Sequence, residues 1–230
     1  MKKKLTVTFL TVMMVVTSQA AVFADTEVEV AEEKSNTEAE QMVSEKIDDA
    51  VRVIQEEQPQ LPAGAEYEIY EYDLGDSCTL QVELQDRAED KEPPMIIRPM
   101  AVSGSSNVWK DYGNRYFTAK ATVEYAGASI TFKLENHYTL SENGIDERYG
   151  TALCDGKNER IIITKSTPII SKASARSVNS AAAVYCNYTC RTSIEVTKKY
   201  KLNTTVKYLK HDKTGKRLQV EQAWNLTKVS

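Results

Sequence analysis

Phe117-Thr118-Ala119-Lys120-Ala121-Thr122-Val123-Glu124-Tyr125 runs into Ala126-Gly127 and leaves through Ile130, Phe132, Leu134 and Tyr138. Phe117, Ala119, Ala121, Val123 and Tyr125 alternate with Thr118, Lys120, Thr122 and Glu124, so one face of the segment is apolar and the other polar. That is the two-residue period of a strand with one face on a core. The turn residues between the two runs make them an antiparallel pair.

The same period recurs downstream. Segments 149–154, 160–164, 184–192, 194–200, 204–210 and 217–226 read as short strands. The last two form the clearest hairpin: Val206 and Tyr208 enter Asp212-Lys213-Thr214-Gly215, and Leu218, Val220, Trp224 and Leu226 leave on one face. Pro168 and the Ser/Ala-rich stretch 171–183 read as a long connection. Regular short strands with turn signals and no helix among them predict a mainly β fold, an antiparallel sandwich or partly closed barrel, over 101–230.

Upstream, 67–72 and 78–84 flank Leu74-Gly75-Asp76-Ser77 and predict another hairpin, over about 66–85. Residues 86–100, charged and then punctuated by Pro93, Pro94 and Pro99, read as a linker. Val43, Ile47, Ala50, Val51 and Ile54 recur at helical spacing and predict an amphipathic helix over about 38–57, ending before Pro59 and Pro62. Its narrow apolar stripe suits docking on the body or on a partner. Residues 25–40 are acidic and poor in large apolar side chains, which predicts disorder.

The first 24 residues carry Lys2, Lys3 and Lys4, an apolar run from Leu5 to Val16, and Val22-Phe23-Ala24 ahead of Asp25. This is the pattern of a secretory signal peptide cleaved after Ala24. The chain is therefore expected outside the cell, with no transmembrane segment in its mature form.

Charge divides the rest. Residues 25–100 hold 22 acidic and 6 basic side chains, whereas 101–230 hold 20 basic and 11 acidic. An acidic N-terminal region and a basic β domain should attract each other. The basic half also suits an anionic cell-wall polymer, a glycan or a membrane surface, with Lys198, Lys199, Lys201, Lys207 and Lys210 as ligand contacts. Trp109, Tyr112 and Tyr116 could add a stacking platform. No nucleic-acid partner is expected.

Four cysteines in an exported chain suggest two disulfides. Cys186 and Cys190, four apart on an expected strand, would lie about 13 Å apart, too far to bridge. Pairing with Cys154 and Cys78 is the expectation. A metal is not expected, because Cys-x3-Cys with two histidines in the whole chain is a poor ligand set.

Catalytic signatures are sparse. Glu135 and His137 share a strand face opposite Leu134 and Tyr138, and are the best acid–base pair. Asp146, Glu147 and Asp155 are carboxylates in expected turns. No nucleophile elbow or zinc-protease motif is present, and no Gly-rich phosphate loop, so no cofactor is expected.

The runs Asn114-Arg115-Tyr116-Phe117-Thr118-Ala119-Lys120 and Leu134-Glu135-Asn136-His137-Tyr138-Thr139-Leu140 resemble uncharacterised secreted β-rich proteins of Gram-positive bacteria. The resemblance covers 108–226. It implies export and a β-rich domain and carries over no site residue. The leading expectation is a secreted, non-enzymatic binding module at the cell envelope or a host surface. The alternatives are a hydrolase using Glu135 and His137, and a toxin or bacteriocin-like protein whose acidic segment is removed.

Overall fold

The computed structural model describes residues 38, 40–62, 64–90, 109–156, 161–192 and 196–229. The expected signal peptide 1–24, nearly all of the segment 25–40 expected to be disordered, and the expected linker from residue 91 lie outside the described residues. Helix α1 spans 40–57. Twelve strands follow: β1 (Tyr67–Asp73), β2 (Thr79–Ala88), β3 (Trp109–Asp111), β4 (Gly113–Tyr125), β5 (Ala128–Ser141), β6 (Gly144–Gly156), β7 (Ile161–Lys165), β8 (Ile169–Lys172), β9 (Ser174–Ala175), β10 (Ala181–Thr192), β11 (Thr197–His211) and β12 (Arg217–Val229). No helix among the described residues is long and apolar enough to cross a membrane.

The strands form two antiparallel sheets packed as a sandwich, with no closed barrel. The first has the order β1-β2-β4-β5-β6-β9. The second has the order β3-β12-β11-β10-β7, and β8 pairs with β10 beyond β7. Alternation on β4 and β5 is as the sequence dictates: Phe117, Ala119, Ala121, Phe132, Leu134 and Tyr138 are completely buried. Ala126 and Gly127 both have positive φ, 49° and 81°. A two-residue turn of this hand matches the twist of the strands it joins.

Several expected boundaries move. The segments 194–200 and 204–210 are one strand, β11, because Leu202 and Thr204 keep the inward alternation unbroken between Tyr200 and Val206. The stretch read as a long connection contains β8 and β9, which carry the chain from the edge of the second sheet to the edge of the first. Asp146, Glu147 and Asp155 lie on β6 rather than in turns. The linker expected from residue 86 starts too early, since β2 runs through Ala88.

From Val43 onward the chain is one compact unit. The apolar stripe of α1 (Val43, Ile47, Ala50, Val51, Ile54) belongs to the same core cluster as Leu80 and Leu84 of β2, Phe132 of β5 and Tyr200, Leu202 and Leu226 of the second sheet. Of the two destinations its stripe allowed, α1 takes the body. Gln58, with φ of 46°, ends it by donating its N–H to the Ile54 carbonyl at 3.0 Å, and Pro59 follows. The attraction anticipated between acidic and basic halves is met by specific pairs. Asp48 of α1 accepts from Lys198 (2.7 Å), Lys228 (2.8 Å) and the Tyr200 hydroxyl (2.9 Å). Burial opposes ionisation of Asp48, but these three donors outweigh it and lower its pKa.

Asp86 is the least expected of these carboxylates. It is completely buried and receives Lys110 of β3 (2.9 Å), both Arg115 nitrogens of β4 (3.3 Å each), the Tyr138 hydroxyl of β5 (2.6 Å) and the Gln222 amide of β12 (2.6 Å). One carboxylate thereby ties three strands of the first sheet to two of the second. Removing one member of a buried ionic group costs about 3–5 kcal/mol, because the rest stay buried and uncompensated. Asp86→Ala should therefore lower the unfolding free energy by about that amount in urea titrations. Adding Lys110→Met and Arg115→Met to it should recover a large part, and no recovery would mean that the cations are not the source of the loss.

Candidate binding surface

Strand alternation assigns the expected lysines to different places. Lys199, Lys201 and Lys207 of β11 point away from the core, while Lys198, one residue out of phase, points inward to Asp48 and to the Ser44 carbonyl at 2.9 Å. Lys198 is thus an anchor for α1 and not a surface contact. A bulge between Tyr208 and Lys210 turns Lys210 outward, where it lies over the Trp109 ring at 5.4 Å.

On the outer face of the second sheet the register places Thr189, Lys199 and Val229 in one row. Asn187, Lys201 and Thr227 make the next, then Tyr185, Asn203 and Asn225, and finally Ala181, Lys207 and Glu221. Lys201 sits 3.9 Å from the centre of the Tyr185 ring. Lys207 meets Glu221 at 3.5 Å across an exposed pair. Neither Lys199 nor Arg191, which is paired with Thr197 at the end of β10, meets a carboxylate among the described residues. Glu221 is the single acid among the described outward positions of β10, β11 and β12. The face is cationic and rich in amide and hydroxyl groups.

The three rings expected to form a platform do not come together. Trp109 is under Lys210, the Tyr112 hydroxyl bonds the His211 ring at 3.0 Å, and Tyr116 lies on the outer face of the first sheet beside His137.

Glu135 and His137 do meet, also on that outer face. His137 Nε2 is 2.8 Å from Glu135 and Nδ1 is 2.8 Å from Glu89. The ring is stacked on Tyr149 at 4.1 Å and flanked by Tyr116 at 5.8 Å, which leaves it 8 % exposed. A bulge in β6 creates this enclosure: Tyr138 pairs with Glu147 and His137 with Tyr149, leaving Arg148 as the extra residue. Arg148 reaches Glu89 with 2.6 Å contacts to both oxygens, and with His137 it holds the Glu89 carboxyl below its ordinary pKa. Burial opposes ionisation of Glu135, yet Lys133 and His137 outweigh it. Both ring nitrogens are engaged by carboxylates, so the imidazole offers no free lone pair to a substrate, and the neighbouring Thr118 and Thr151 hydroxyls donate to Glu135 rather than to the ring.

Among the described residues no group of His, Cys, Asp and Glu is arranged to hold a metal. The four cysteines are all unpaired thiols, against the expectation of two disulfides. Cys78 faces α1, with Lys46 and Asp49 as its charged neighbours. Cys186 and Cys190 lie on one inward face of β10 with Tyr188 between them, as their spacing required. Cys154, opposite Phe132 on β6, turns its sulfur to the Ile163 carbonyl at 3.5 Å, and Cys186 turns its own to the Ser166 carbonyl at 3.3 Å. Each of these two thiols satisfies a backbone oxygen instead of a second sulfur. Burial raises the pKa of Cys78 and Cys154 and pushes Cys190 up to about 12. Such thiols are poor nucleophiles. With a maleimide in native buffer they should label slowly, and all four should label at once in denaturant.

No family model, curated protein or solved structure matches this chain. The reading of the surface therefore rests on its own geometry.

Sequence reasoning missed Asp86 and placed Glu147 in a turn rather than on β6. The only signal for Asp86 is its phase with Leu80, Val82 and Leu84. Glu147 lies at the β6 bulge, with its carboxyl turned inward. Burial raises its pKa to about 7, only partly offset by the Asn136 amide donating at 3.0 Å. The other Glu147 oxygen, Oε2, and Asn136 Oδ1 are buried without a partner among the described residues. A proton on Glu147 removes the charge that burial disfavours. The folded-state pKa is above the unfolded value, so this contribution is complete below about pH 4.5 and is lost as pH rises through about 7. Stability should fall across that window by a few kcal/mol at most, roughly 1.4 kcal/mol per unit of pH. Glu147→Gln should flatten the slope, and an unchanged slope in that variant would exclude Glu147 as its source.

Proposed function

We propose that this protein is an exported, non-enzymatic binding module whose working surface is the outer face of the second sheet. The observation that carries the reading is the set of Arg191, Lys199, Lys201 and Lys207 facing outward, with Glu221 as the one acid among the described outward positions of β10, β11 and β12. Several of the other basic residues are consumed: Lys110 and Arg115 by Asp86, Lys120 by Glu83, Arg148 by Glu89, Lys198 and Lys228 by Asp48.

Outward positions on one strand recur about every 7 Å. An anionic polymer lying along β11 meets Lys199 and Lys201 in succession, then Asn203 and Thr205, and Lys207 beyond them. Asn187, Asn203 and Asn225 add donors and acceptors, and Tyr185 adds an apolar plane already holding Lys201. A phosphate- or carboxylate-bearing cell-wall polymer or glycan fits this chemistry better than a lipid surface, because the rows are flat and hydrogen-bonding and carry little apolar area to insert. Export is supported by the three-part pattern of residues 1–24. The enclosed state of His137 gives a hydrolase no support. A toxin released by removing residues 25–100 would lose α1, β1 and β2, and with them Asp86 and much of the core.

Binding to a poly(glycerol phosphate) chain or to polyphosphate, followed by calorimetry, should weaken steadily with added salt, since screening shortens to about 8 Å at physiological ionic strength. Lys199→Glu with Lys201→Glu should reduce affinity at least about tenfold at low salt. The melting temperature should not move. Affinity indifferent to both salt and the double substitution would sink the reading.

A further inference from the structure

β3 pairs with β12 only at Arg217, Leu218 and Gln219. From Val220 onward this edge of β12 has no strand beside it among the described residues. The chain leaving α1 crosses there instead: the Trp224 indole donates to the Pro59 carbonyl at 2.7 Å, and Gln55 donates to the Leu226 carbonyl at 3.4 Å. The crossing leaves two cavities that share Gln60. One, of about 380 Å³, lies beside Gln55, Gln58, Trp224 and Asn225. The other, of about 230 Å³, lies beside Leu61, Gly64, Lys110, Gln219 and Gln222.

The polar part of the lining is mostly carboxamide, set among apolar residues such as Leu61, Leu209 and Val220. Gln55, Gln58, Gln60, Gln219 and Asn225 line the two cavities, while the Gln222 amide is already given to Asp86. The two charges within reach are already neutralised, Lys110 by Asp86 at 2.9 Å and Glu221 by Lys207 at 3.5 Å. A carboxamide presents a donor and an acceptor side by side, which is the complement of a hydroxyl. Gln219 is the telling member. It is 3 % exposed, yet its Nε2 has no hydrogen-bond partner among the described residues. A buried amide donor left unpaired is costly, and Gln219 lines the smaller of the two cavities. Trp224, half-buried in the adjoining cavity, adds an aromatic wall.

We infer that this amide-lined cleft beside β12 binds a neutral, hydroxyl-rich ligand, a saccharide. Few convergent polar groups around an aromatic wall are what such a ligand needs. The site adjoins the cationic face at Asn225 and uses none of its lysines. It extends the binding reading by giving the sugar units of a glycan a place of their own.

The experiment uses the two tryptophans of the chain. In a Trp109→Phe background, emission reports Trp224 alone, and maltotetraose, cellotetraose and chitotetraose are titrated at low and high salt, with polyphosphate in parallel. At least one saccharide is expected to give a saturable change that salt does not alter. Gln219→Leu should weaken it at least about tenfold while melting no lower than its parent, since it removes an unpaired buried amide. Should Gln219→Leu fail to fold, the exposed Gln60→Ala takes its place with the same expectation. No saturable response to any of the three, or equal affinity in the variants, overturns the inference. A response to polyphosphate alone, abolished by salt, overturns it and leaves the cationic face standing. Saccharide binding without polyphosphate binding does the reverse.

Discussion

A single negative charge without access to water organises this protein. Asp86 can be ionised in the interior only if the groups around it hold fixed positions, and they come from β2, β3, β4, β5 and β12. A carboxylate in a low-dielectric interior is costly unless every oxygen is engaged. The sheets are therefore registered to each other at this end by chemistry that tolerates little displacement, while the remainder of the interface is non-directional apolar packing. Tyr138 shows the same constraint, since burial and the neighbouring Asp86 push its phenol far above the ordinary range and keep it a donor.

Around that point the charge asymmetry of the chain becomes structure. Carboxylates from the acidic N-terminal region sit at Asp48, Glu83, Asp86 and Glu89, and each meets cations from the basic half. Pairs of this kind on a surface contribute little individually. Together they separate basic residues consumed by the fold from others that stay available, among them Lys199 and Arg191 on the outer face of the second sheet. That sorting, rather than any dense cluster in sequence, is what makes the face cationic.

Strand periodicity made most of the architecture legible. Alternation over Phe117 to Tyr125, over 130–138 and over the last hairpin gave the right elements and the right inward residues, and the spacing of Val43, Ile47, Val51 and Ile54 gave the helix. What periodicity could not see was short or depended on partners far away. β3, β8 and β9 have two to four residues and exist only because β12, β10 and β6 present edges to them. The lysine run at Lys198 to Lys201 looked like one patch because composition ignores phase, and alternation splits it between helix and solvent. The thiols were misread because an exported chain suggests oxidation, whereas Cys154 and Cys186 settle against backbone carbonyls.

The bulge in β6 has a further bearing. By inserting Arg148 it shifts the two halves of the strand out of phase, so that Glu147 is sealed inside and Tyr149 closes over His137 outside. One additional residue thus places an acidic proton on one side of the sheet and an aromatic-capped imidazole on the other, separated by a single backbone. Pairing Arg148 regularly would instead slip the strand by one position from there onward: Arg148 would face His137, and the phenol of Tyr149 would turn into the interior opposite Asn136. The insertion is what lets one strand border both a dry interior and a charged exterior without a misplaced side chain.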